Sequence, residues 1–427
     1  MWHSEEVIRS FLLFLAAAFL ARGSDSLDPA FERIPFDQWI NEHARPPFRW
    51  SVPAPRPQMS FHQRFVAQLE AKMDGRDLES RRDDGELIFF FQITAPDGTR
   101  FQNHNGVDLK KLDPNIKSAD LQCIQHAFVL PGDYRLAVGV LDTKTGEHGA
   151  TQLQFRVPAQ HNMPAESWQA LPAVEFIGPE EAPDSFFLPA IQGHLQWAAH
   201  VHSPGRLNVI MNIAPSLPTR GTHRTYSGEL AALLPTLKVF SETGSSSLSE
   251  HVALLDLARR RTAFEQDQVH DLDWPRLESS LGVSNTASID VHSLQERHHD
   301  AQFFVSQVRG VLRASEGAPC TLVVIATPVS FESGEDMEPI SREALPACSV
   351  FYIRYHEPRE RNIGPHDPRF ERARMGRYGG GPMRTRFPLE VPDQLEGTLK
   401  PLSPKVYDVE TPDEIAKAIS DIAKSLH

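Results

Sequence analysis

The period of hydrophobicity changes near Arg206, and that change constrains the fold more than any single motif. Upstream of it, apolar side chains recur at every second position. Phe65, Ala67, Leu69, Ala71 and Met73 form one such series, and Leu153, Phe155 and Val157 alternate with Gln152, Gln154 and Arg156. A period of two is the mark of strands with one buried face. Downstream, continuous β-branched stretches alternate with segments whose apolar residues fall three and four apart, which suits strands separated by helices. Two periods in 427 residues imply two domains, since one hydrophobic core rarely organises a chain of that length.

Residues 24–45 are polar and irregular, and 46–158 read as an all-β domain. Strand-like runs at Leu87 to Thr94, Leu121 to Leu130 and Tyr134 to Asp142 are punctuated by turns at Pro96-Asp97-Gly98, Pro131-Gly132-Asp133 and Thr143 to Gly146. Short strands at this spacing predict an immunoglobulin-like β-sandwich. Residues 159–205 are rich in proline and read as a linker with edge strands at Ala173 to Ile177 and His194 to Val201.

From 206 to 427 the expected order is strand, helix, strand, short helix, long helix, strand, strand and terminal helix. Leu207 to Ile213, His251 to Leu257, Thr321 to Ala326 and Ser349 to Tyr355 supply the strands. Asp300 suits an N-cap before the stripe Phe304, Val305, Val308, Val311 and Leu312. Pro235 is expected to kink or end the helix that carries Leu230, Leu233, Leu234 and Leu237. Thr411-Pro412-Asp413-Glu414 is a capping box with proline at the first helical position, ahead of Ile415, Ile419, Ile422 and Leu426. The alternation predicts an α/β doubly wound domain.

That order, after a β-sandwich, resembles the von Willebrand factor type A domains, and the resemblance covers Arg206 to His427. Its local features are Ala253-Leu254-Leu255-Asp256-Leu257, Asp273-Trp274, Ser288-Ile289-Asp290-Val291 and the Phe303-Phe304 helix. The resemblance implies a metal-ion-dependent adhesion site in which D-x-S-x-S ends the first strand. Here that position reads Asn212-Ile213-Ala214-Pro215-Ser216, and the family's later aspartate falls on Thr327-Pro328. A hard cation needs carboxylate oxygens, so Asn212, Ala214, Ser216 and Thr327 make a degenerate site with no metal and no cofactor.

An apolar run from Phe11 to Ala21 follows Arg9 and precedes Ala21-Arg22-Gly23, the pattern of a signal peptide spanning 1–23. It is shorter than the roughly 20 residues needed to cross a bilayer, and no other segment is apolar enough, so the expected location is secreted or periplasmic. A net charge of −13 argues against nucleic acid as a partner. In an oxidising compartment neighbouring thiols pair. Cys320 and Cys348 each begin an apolar strand; a disulfide and two small core residues both fit them, and Cys123 reads as core.

Among the remaining constellations, His200 and His202 share one face of a strand, which admits a metal-dependent hydrolase or a plain edge-strand pair. His298-His299-Asp300 reads as a helix cap with exposed imidazoles. No G-x-S-x-G, H-E-x-x-H, Walker or Rossmann fingerprint occurs, which argues against an enzyme. The local charge anomaly is a loop over 354–386, whose Arg359, Arg361, Arg369, Arg372, Arg374, Arg377, Arg384 and Arg386 are the candidates for holding an acidic protein, glycan or lipid headgroup. The reading is therefore an exported, non-catalytic binding or scaffolding protein acting through protein or envelope contacts. The metal-dependent hydrolase on His200 and His202 is the alternative.

Overall fold

The computed structural model describes residues 27–42, 49–82, 85–113, 115–159, 165–168, 171–178, 204–214, 226–241, 248–257, 259–269, 271–282, 300–329, 340–341, 345–346, 348–356 and 393–426. The chain divides into two compact units. One comprises Met1–Ser60, Arg64–His161 and Trp168–Leu188; the other comprises Phe61–Gln63, Asn162–Ser167 and Pro189–His427.

The first unit holds two antiparallel sheets. Strands β1 (Trp50–Ser51), β2 (Gln58–Met59), β3 (Phe65–Asp74), β6 (Asp120–Val129) and β9 (Val174–Phe176) form one. The other runs in the order β5 (Arg100–Asp108), β4 (Glu86–Thr94), β7 (Gly132–Asp142) and β8 (His148–Val157). The inward alternation of β3, Phe65 through Met73, meets Phe89, Phe91 and Ile93 of β4 and Leu136, Val138 and Val140 of β7 in one core. Cys123 is a buried free thiol of that core, and burial pushes its pKa up to about 12. The strand expected at Ala173 to Ile177 is β9, paired with β6 as part of this unit.

The outward side of the four-stranded sheet is also partly apolar. Helix α1 (Phe36–Asn41) and the turn before it lay Phe31, Phe36 and Trp39 on Phe90, Ala137 and Ala150, while the short helix α2 (Gly75–Glu79) follows β3. Trp39 stacks on His148 with ring centroids 4.4 Å apart.

The second unit contains a six-stranded sheet ordered β12 (Arg261–Asp267), β11 (Leu248–Asp256), β10 (Gly205–Asn212), β13 (Cys320–Ala326), β14 (Cys348–Tyr355) and β15 (Lys405–Val409). β12 pairs antiparallel with β11, and the other pairings are parallel. The helices are α3 (Tyr226–Ser241), α4 (Trp274–Gly282), α5 (Asp300–Ala314), α6 (Gln394–Leu399) and α7 (Pro412–Ser425). Phe304, Val308 and Leu312 of α5 and Leu395 and Leu399 of α6 pack with Ile210, Leu322, Val324 and Tyr352 of the sheet.

These observations correct the expected fold class, an α/β doubly wound domain of the von Willebrand factor A type behind an immunoglobulin-like sandwich. The described chain is mainly β, with fifteen strands in three sheets. The expected strands did not include β5, β12 or β15. Each is the outermost strand of its sheet, where a side chain has less to pack against and the apolar signal weakens. Of the two outcomes expected at Pro235, the ending does not occur: helix α3 continues through it to Ser241, without the bond that an N–H there would make to the Ala231 carbonyl.

Candidate functional site

The carboxyl ends of β10 and β13 each carry a buried polar group, Asn212 and Thr327. β10 is the strand whose neighbours, β11 and β13, lie on opposite sides of it, so the chain leaves the sheet in different directions there. Such ends leave a crevice in open parallel sheets. Asn212 closes β10, and its Oδ1 accepts from the backbone N–H of Ala214 at 3.0 Å and of Leu257 at 3.4 Å. The amide therefore ties the end of β10 to the end of β11. Among the described residues, its buried Nδ2 has no hydrogen-bond partner, and neither has the buried Oγ1 of Thr327, one residue beyond β13. Met211 and Ile325 are register partners, so Asn212 stands level with Ala326 and Thr327 lies one residue further along the chain leaving β13.

The charged groups around this edge are consumed by one another. Asp256, at the end of β11, is buried and pairs with Arg259 at 3.0 Å and Arg261 at 3.6 Å. Arg354, near the end of β14, reaches Asp408 of β15 at 2.6 Å, Glu396 of α6 at 2.7 Å and Asp393 at 3.3 Å. Those carboxylates raise its pKa, the Asp408 hydrogen bond most of all. Asp408 is held below the ordinary carboxylate range, first by Arg354 and then by His356 at 2.9 Å. The other Asp393 oxygen accepts from the N–H of Leu395, capping α6, and of Val329. Beneath this network the phenol of Tyr352 is pushed well above its usual pKa, by burial and then by Asp393.

Asn212, Ala214 and Thr327 are thus gathered at one edge, and Ser216 lies outside the described residues. Also outside them are residues 1–23, His200, His202, His298 and His299, and the loop residues Arg359, Arg361, Arg369, Arg372, Arg374, Arg377, Arg384 and Arg386. Arg354, counted from composition as the start of that basic loop, is instead the centre of an internal ion-pair network. Cys320 and Cys348 are register partners on β13 and β14 with Cα atoms 4.8 Å apart, and they are joined as a disulfide. Among the described residues no three His, Cys, Asp or Glu side chains converge on a point where a metal ion could sit. No helix among them is long and apolar enough to cross a membrane.

Chemically, the edge offers a neutral amide and a hydroxyl as donors. A divalent cation would need carboxylates there, and among the described residues Asp256, Asp393 and Asp408 are already in ion pairs. Sequence reading located Asn212 and Thr327 but gave no hint of the Arg354 network, because Asp393, Glu396 and Asp408 are 39, 42 and 54 residues away along the chain.

No family model matches the sequence, and no curated protein matches it. Among solved structures, the chain is similar to the crystal structure of Bacteroides uniformis beta-glucuronidase, with 11% sequence identity and a TM-score of 0.17 over 65% of this chain and 33% of that one. The chain spans about a third of the length of that protein, and a superposition this loose defines no shared fold.

Proposed function

We infer that this chain is a non-catalytic binding or scaffolding protein that works outside the cytoplasm through protein or envelope contacts, without a bound Mg²⁺. The observation that carries the reading is the carboxyl edge of the six-stranded sheet. Its unpaired groups, Asn212 Nδ2 and Thr327 Oγ1, are neutral donors, while Asp256, Arg354, Asp393 and Asp408 are each tied into ion pairs. General acid–base catalysis needs a titratable group free to exchange its proton with substrate, and paired charges of this kind serve rigidity instead. The Cys320–Cys348 disulfide supports an oxidising compartment. The basic loop beyond Tyr355 supplies the contact surface for an acidic partner.

The test is a quantitative pull-down from envelope extract with the intact mature chain beside a chain carrying alanine at Arg359, Arg361, Arg369, Arg372, Arg374, Arg377, Arg384 and Arg386. Enrichment of one partner by the first chain and its loss from the second is expected. Equal capture by both removes the loop from the account, and turnover of any envelope polymer by the purified chain overturns the non-catalytic reading.

A further inference from the structure

The first unit carries an open cavity of mixed polar and apolar lining that the proposed function does not use. It lies at the end of the four-stranded sheet, has a volume of about 610 Å³, and is walled by the turn at Pro96 and Gly98 and by the strand ends that carry Thr94, Arg135, Gln154 and Arg156. That size falls in the range of small-molecule sites, about 300 to 1,000 Å³.

Register and alternation place the polar side chains on one face. Thr94 of β4 pairs with Arg135 of β7, which pairs with Gln154 of β8, and Asp133 pairs with Arg156. The neighbours Ile93, Tyr134, Leu136, Phe155 and Val157 point into the core, so Thr94, Arg135, Gln154 and Arg156 point out of it. Arg135 and Arg156 are diagonal neighbours on adjacent strands, about 7 to 8 Å apart at Cα.

The walls are stiff. Tyr134 stacks on Phe155 with centroids 5.4 Å apart and donates its hydroxyl to the Leu130 carbonyl at 2.9 Å. The turn is closed by Gly98 N–H on the Ala95 carbonyl and Ala95 N–H on the Thr99 carbonyl, both at 2.9 Å. Gly98 has a φ of +92°, and a Cβ built there would meet nothing within 4 Å, so the turn is open on that side.

The charge balance selects the ligand. Arg156 and Asp133 face each other at 3.7 Å with side chains 81% and 78% exposed, a loose pair that cancels its own charge. Asp97 is occupied by the N–H of Thr99, the main cause of its lowered pKa. Arg135 has no ion pair among the described residues. One uncommitted guanidinium remains, with a primary amide and a hydroxyl in the same row. We propose that this cavity binds a small carboxylate-bearing molecule. Arg135 takes the carboxylate through its two parallel N–H groups, Gln154 and Thr94 bond the rest of the polar body, and Arg156 swings from Asp133 to a second contact.

The experiment is calorimetric titration of the full mature chain with succinate, glutamate and gluconate at fixed ionic strength, with glucose and inorganic phosphate alongside. Saturable one-site binding of at least one carboxylate is expected, with no binding of glucose. Arg135→Ala should weaken it roughly 10-fold or more, since hydrogen bonds to a charged group carry about that much free energy. Arg135→Lys should fall between the two, and Lys117→Ala, remote from the cavity, should leave it unchanged. Arg135 is exposed, so circular dichroism and the melting temperature of its variants should match the parent. No saturation by any carboxylate, or equal affinity in Arg135→Ala, overturns the proposal. Tighter binding of phosphate than of every carboxylate replaces the carboxylate with phosphate as the ligand.

Discussion

Phe36 lies directly over Gly139, so close that a Cβ at position 139 would sit 2.5 Å from the Phe36 ring carbon Cε2. The absent side chain lets α1 settle on the four-stranded sheet and bury Phe31, Phe36 and Trp39 against Phe90. Gly139→Ala should therefore destabilise the first unit by about 1 to 3 kcal/mol, the cost of overpacking a filled site. Urea denaturation measures it. In a Phe36→Ala background the same substitution should cost much less, because the atom it strikes is gone.

Reduction should reveal a second contribution. Cys320 and Cys348 are 28 residues apart in sequence, and cross-linking a loop of that length stabilises by about 3 to 4 kcal/mol on loop-entropy grounds. The Cys320→Ser/Cys348→Ser chain should melt several degrees below the parent. Thiol titration of the denatured, unreduced protein should find one thiol, Cys123, and all three cysteines after reduction.

The start of α7 should make stability depend on pH. The Glu414 carboxylate accepts from the N–H groups of Glu410 at 2.7 Å and Thr411 at 3.0 Å, and those bonds hold its pKa below the ordinary value. A carboxylate whose pKa is depressed by folding stabilises above its unfolded pKa, about 4.3, and loses that contribution as pH falls through the folded value. Glu414→Ala should cost about 1 kcal/mol at pH 7, and the gap between variant and parent should shrink as the pH is lowered past 4. A gap of the same size at pH 3 would refute the capping role.

Arg354 joins β14, β15 and α6 through three carboxylates. Arg354→Ala leaves the buried Asp393 and the half-exposed Glu396 and Asp408 without their shared cation and should destabilise the second unit by about 1 to 3 kcal/mol. Arg354→Lys keeps the charge but not the fork and should recover part of the loss. Urea denaturation in low and high salt separates the two, with the larger salt effect expected in the parent.

Local features were the ones open to reading. The alternation of β3, the apolar stripe of α5 and the Thr411 to Glu414 start of α7 each follow from residues within a few positions of one another, and the structure has each where those residues put it. Outer strands were not legible. Arg261–Asp267 contributes only Phe264 to the buried hydrophobic set, and Arg100–Asp108 only Phe101. Their strand identity comes from backbone bonds to a neighbouring strand, for which the side chains carry little signal. The expected fold class left those strands out, and the described chain holds more strand than it allowed.

By itself the sequence determined that two periods of hydrophobicity are present, that Asn212 and Thr327 are not carboxylates, and that Cys320 and Cys348 each head a buried strand. Only tertiary structure decided what those residues meet. It set Cys320 opposite Cys348, turned Arg354 from a surface cation into the hub of an ion-pair network, and lined up Thr94, Arg135 and Gln154 in one row. Pairing between strands is fixed by long-range register and by the packing of faces on each other, and neither is encoded within the span of a local pattern.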